Sequence, residues 1–135
     1  MKKIVVGIAL LALLVPSIAF AAPSNVNDWY QNRDGQWIYE VTLSANEAYT
    51  LLNMSRVTGG WLMNVEVHTS ADDAVTVTLT NARGTDLLNG NGSTTAATDG
   101  EYVIPNDRWA INSALTLTSA DIASGTATFV ITVAK

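Results

Sequence analysis

His68 is followed by Thr69-Ser70 and Asp72-Asp73, the one stretch in which an imidazole, hydroxyls and carboxylates fall together. Nucleophilic catalysis needs a hydroxyl or thiol within reach of a base, and a third group that orients the base. With no cysteine and a single histidine, only a Ser/His/Asp arrangement built on His68 could meet that requirement. No Gly-x-Ser-x-Gly elbow accompanies it. His68 also closes a run whose apolar residues fall on the opposite face, which is the pattern of a solvated side chain at a strand end.

Two carboxylates can work as general acid and base. The acidic clusters are Asp72-Asp73 and the set Asp99, Glu101 and Asp107. Adjacent Asp residues in a turn ordinarily bond their own backbone, so the first pair reads as turn chemistry. Calcium needs six or more oxygens in one place. The loops hold Asp72, Asp73, Asp99 and Asp107, at spacings that do not match the helix-loop-helix consensus. One His and no Cys leave a transition metal without ligands. The expectation is therefore a non-enzymatic chain with no catalytic residue, no metal and no cofactor.

Flat rings are the better candidates for contact. Exposed Trp and Tyr present a broad apolar face with a polar tip, suited to stacking on sugars or anchoring an interface. Trp37 and Trp61 fall in phase with the apolar side of their runs and are expected in the core. Trp29 and Tyr30 precede the first clear strand, and Trp109 sits among polar residues. Together with Tyr102 and the loop residues Asn91 and Ser93, they form the predicted contact surface.

The elements that must position these groups are strands. Val75, Val77 and Leu79 alternate with Thr76, Thr78 and Thr80 until Asn81-Ala82-Arg83-Gly84 breaks the pattern. A period of two marks a half-buried strand, and the Gly supplies the positive φ of a tight hairpin. Further strands are predicted at 36–44, 49–54, from residue 61, at 101–104, 114–118 and 126–134, with one helical turn at 120–123. Residues 89–100 form a long polar loop, a kind of segment that often carries function. Seven or eight short strands with turn signals about ten residues apart imply an all-β antiparallel sandwich or jelly roll.

The amino terminus supplies an address. Met1-Lys2-Lys3, an apolar run from Ile4 to Val15, and Ala19-Phe20-Ala21 are the three parts of a secretory signal peptide, with cleavage expected after Ala21. The run is shorter than the ~20 residues that cross a bilayer, so no stable anchor should remain. The chain then divides into a signal peptide at 1–21, an N-terminal arm or short edge strand at 22–35, and a sandwich at 36–135. A secreted, extracellular or periplasmic location follows. The formal charge of −5 becomes −7 once Lys2 and Lys3 are lost, which argues against nucleic acid as a partner. With no cysteine to form a disulfide, the fold must rest on apolar burial and sheet pairing. Threonine-rich outer faces with few lysines tolerate packing against another subunit, so protein partners or self-assembly are expected, with glycans as the alternative ligand.

From Asp73 to Gly90 the chain resembles a group of small tailed-phage structural proteins, in which a strand, a Gly hairpin, an Asp before two aliphatics and a Gly-rich loop recur in order. Tyr102-Val103-Ile104-Pro105, Leu115-Thr116-Leu117 and Gly125-Thr126-Ala127-Thr128-Phe129 continue that likeness. It implies a structural or surface-decorating subunit; combined with the leader, it implies a virion surface or filament assembled at or beyond the membrane. A second likeness is to the small β-sandwich domains appended to secreted peptidases.

Overall fold

The computed structural model describes residues 23, 25–44, 47–71, 74–94, 101–103, 105, 107–122 and 125–135. The expected signal peptide, Asp72-Asp73 and the loop residues 95–100, which include Asp99, lie outside the described residues. The strands are β1 (Asn25–Gln31), β2 (Trp37–Leu43), β3 (Ala48–Thr50), β4 (Trp61–Thr69), β5 (Thr76–Asn81), β6 (Glu101–Val103), β7 (Leu115–Ala120) and β8 (Ala127–Ala134), with one 3-10 turn at Met54–Arg56. They pair antiparallel in two sheets, β1-β2-β8-β4-β6 and β3-β7-β5. The chain is an all-β sandwich, as the alternation predicts. No described helix is long and apolar enough to cross a membrane.

Period-two patterning fills the space between the sheets. Tyr39, Val41 and Leu43 of β2, Phe129, Ile131 and Val133 of β8, and Val65 and Val67 of β4 are buried in one cluster with Val77 and Leu79 of β5 and Leu115 and Leu117 of β7. Each such side chain contributes roughly 1.5–3 kcal/mol by leaving water. That burial is what stands in for the missing disulfides. The threonines alternating with them face outward and half-exposed, and they bond across strands, as Thr42 and Thr128 do through hydroxyls 2.8 Å apart.

The free side of β5 is covered. Val77 N–H donates to the Gly92 carbonyl at 2.7 Å, Thr94 N–H donates to the Val75 carbonyl at 2.9 Å, and Leu87 N–H donates to the Leu79 carbonyl at 2.8 Å. A Cβ on Gly92 would lie 1.6 Å from the Val77 carbonyl oxygen, so only glycine allows this approach.

Several expectations need correction. Trp29 is not a surface ring: it is 2% exposed. A register shift between Asn27 and Tyr30 places two residues of β1 opposite one of β2 and turns the indole inward. The segment read as an arm or edge strand is the edge strand β1. Trp61, expected in the core, is 46% exposed, because a shift between Leu62 and Asn64 resets the phase of β4. Leu62 takes the inward position instead. Trp37 is half-buried against the core, close to expectation.

The run at 49–54 is strand only to Thr50 and then enters the 3-10 turn, with Asn53 in the left-handed region at φ 51. Asn81–Gly84 does turn the chain, with Gly84 at φ 78, yet no partner strand returns. One bridge forms, between Thr80 and Asp86, and then Leu87 and Leu88 drop into the core. The helical turn expected at 120–123 is absent over its described residues: Ala120 ends β7 and Asp121 has φ 67, while Ala123 lies outside them.

Candidate functional site: a pocket beside Trp109

Residues 109–111 run along the start of β4 as an extra, irregular rung. Leu62 N–H donates to the Trp109 carbonyl at 3.2 Å, Ile111 N–H donates to the Gly60 carbonyl at 2.8 Å, and Gly59 N–H donates to the Ile111 carbonyl at 2.8 Å. The chain then crosses through Asn112 and Ser113 into β7 of the other sheet. Opposite this crossover stands the turn that ends β5. Ser113 Oγ accepts the Ala82 N–H at 3.2 Å and joins the two.

Between turn and crossover lies an open pocket of about 310 Å³. Leu87, Ile111 and Leu115, all buried, form its base. Trp109 supplies an aromatic wall, half-buried and packed on the core. Asn81, Arg83, Asn112 and Ser113 bring the polar groups. The local sequence dictates the rim: Asn81 Oδ1 accepts the N–H groups of Arg83 at 2.9 Å and Thr85 at 3.0 Å, an Asx turn that fixes where Arg83 leaves the backbone. Trp109 Nε1 is buried and has no hydrogen-bond partner among the described residues. Such a donor is uncommon in native structures.

Among the described residues of this lining, Arg83 carries the one charged side chain, and a guanidinium offers only donors. Among its described residues the lining therefore holds no carboxylate or imidazole. His68 is elsewhere, on the outer face of β4, with Nε2 2.7 Å from Glu66 Oε1. Seven residues along the strand from Trp61, it is roughly 20 Å away.

The sequence-predicted contact residues do not share one surface. Tyr30, 45% exposed, stands on β1 at one margin of the five-stranded sheet. Trp109 and Tyr102, whose backbone pairs with Glu66 from β6, belong to the opposite margin, about four strand spacings or ~19 Å away. The Tyr102 side chain lies outside the described residues. Asn91 and Ser93 are exposed beside β5, where Ser93 bridges to Thr76. Of those whose side chains are described, Trp109 alone lines the pocket. Its partners Asn81, Arg83, Asn112 and Ser113 were missed, because the sequence separates turn from crossover by 25 residues or more. The one signal was Asn112-Ser113 three residues after a tryptophan that follows polar residues.

No protein-family model and no curated protein matches the chain. Among solved structures, it is similar to the low-affinity xylan-binding module CBM86 from the gut symbiont Roseburia intestinalis, with 14% identity, a TM-score of 0.33, and 84% of this chain and 86% of that one covered. It is also similar to the C-terminal CBM6 of the marine laminarinase LamC from Zobellia galactanivorans, with 15% identity, a TM-score of 0.32, and 87% and 94% covered. At such values the reading of function rests on this chain's own site.

Proposed function

We propose that this chain is a non-catalytic, exported binding module that holds carbohydrate in the pocket beside Trp109. The observation that carries the reading is the combination lining one concavity: an aromatic wall, two amides, a hydroxyl and a guanidinium, with no carboxylate or imidazole among the described residues. A pyranose offers apolar C–H faces to a ring and hydroxyls to side chains that both donate and accept. A volume of about 310 Å³ is at the small end for ligand sites and suits one sugar unit, with the rest of a chain lying across the opening.

The test is a glycan array followed by calorimetric titration, on the wild type and on Trp109→Ala, with circular dichroism confirming that the variant folds. Binding that disappears in the folded variant supports the reading; silence of the wild type across the array sinks it.

A second reading, the structural or decorating subunit of a virion or other surface assembly, is favoured by the exposed Tyr30, Leu52, Trp61 and Met63. Large apolar side chains at 43–52% exposure suit burial against a neighbour. Light scattering of the mature chain decides it: a species larger than one chain is expected, and a monomer at high concentration refutes it.

A further inference from the structure

The charge of the ligand follows from how the cations are spent. The whole chain carries −5, yet among the described residues no acidic side chain lines the pocket and Arg83 does. Arg56 is engaged, with its guanidinium 3.6 Å from Asp28 and 2.7 Å from the Trp29 carbonyl. Lys135 donates to the Arg56 carbonyl at 3.2 Å. Arg83 forms no ion pair among the described residues.

The acid nearest to it in sequence within the turn is hydrogen-bonded to the backbone. Asp86 commits Oδ1 to the N–H groups of Leu79 at 3.3 Å and Leu88 at 3.0 Å, and Oδ2 to that of Gly90 at 2.9 Å. Asp107 and Arg108, which precede Trp109, are exposed and together bring no net formal charge. The pocket is thus a cationic spot on an acidic protein. Such a spot repels no anion locally and offers a planar fork that matches a carboxylate or sulfate.

Resting on the carbohydrate reading above, we infer that the pocket selects an acidic saccharide, with Arg83 holding the carboxylate of a uronic acid or a sulfate ester while Trp109 takes the ring face. Asn112 and Ser113 stand where they can meet the neighbouring hydroxyls.

The experiment titrates the full mature chain with three oligosaccharides of matched length: an oligouronate, a sulfated oligosaccharide and a neutral one. Each is run at low and at high salt. About tenfold tighter binding of one acidic ligand over the neutral one is expected, weakening with salt. Arg83→Gln should abolish that preference, bringing the acidic ligands down to the affinity of the neutral one, and Arg83→Lys should restore it only in part. Whichever acidic arm binds identifies the anion. Equal binding of all three, unaffected by Arg83→Gln, overturns this inference and leaves the carbohydrate reading standing. Failure of all three overturns both, and binding of free inorganic sulfate as tight as that of the sulfated saccharide overturns the inference by removing the sugar from it.

Discussion

Trp29 and Tyr39 hold the two sides of one residue's backbone. Their rings lie 5.1 Å apart at 58°. The Trp29 indole N–H donates to the Leu52 carbonyl at 3.0 Å, while the Tyr39 hydroxyl accepts the Leu52 N–H at 3.4 Å. The Leu52 side chain is 52% exposed because its peptide groups, and not its isobutyl group, fix the chain there. Trp29→Phe should cost about 1–2 kcal/mol by leaving that carbonyl unpaired, and Trp29→Ala about 3–5 kcal/mol by opening a cavity. Urea unfolding followed by circular dichroism measures both, and saccharide binding by the folded variants should be unchanged.

Tyr39 predicts an alkaline limb to the stability curve. Burial first, and then its bond to the Tyr49 hydroxyl at 3.3 Å, push its phenol well above the ordinary range. An acid raised in this way keeps its proton in the folded state after the unfolded chain has begun to lose it. Its contribution is therefore complete below pH ~10 and declines as pH rises beyond that. Tyr39→Phe should cost about 1 kcal/mol at neutral pH and make the decline between about pH 10 and 12 shallower. A wild type and variant that fall in parallel there would refute it.

Gly92→Ala should destabilise by about 3 kcal/mol, because the added methyl must displace backbone and not a flexible side chain. It should also loosen residues 92–94 from β5 and expose a strand edge. The variant is expected to scatter light on standing under conditions in which the wild type does not.

Trp61→Ala should cost under about 1 kcal/mol, whereas Leu62→Ala should cost about 2–5 kcal/mol. Simple alternation back from Val65 and Val67 predicts the reverse order. Thermal melts of the two variants distinguish the patterns.

That reversal shows what the sequence could and could not disclose. The sandwich was legible because Val75-Thr80 keeps a strict period of two, and Trp37-Leu43 and Thr126-Ala134 keep it on one face with Ile38 and Val130 as apolar exceptions on the other, which are faces that two packed layers bury. Both misplaced tryptophans sit beside bulges, at Asn27/Tyr30 and Leu62/Asn64. One extra residue switches a ring between inside and outside, and neither bulge carries a glycine to announce it. The site was half legible for a different reason. Trp109 stands out as an aromatic among polar residues, but Arg83 becomes its neighbour only through the path of the crossover between sheets, which no local pattern encodes.

The hollow next to Trp109 straddles the seam of the sandwich: Asn81 through Arg83 extend from the small sheet, and Trp109 through Ile111 are stitched to the large one. An occupant gripping both sides would act as a rivet against sliding of one layer over the other. Saturation should then raise the melting temperature and slow amide exchange in β5 and at the start of β4 together.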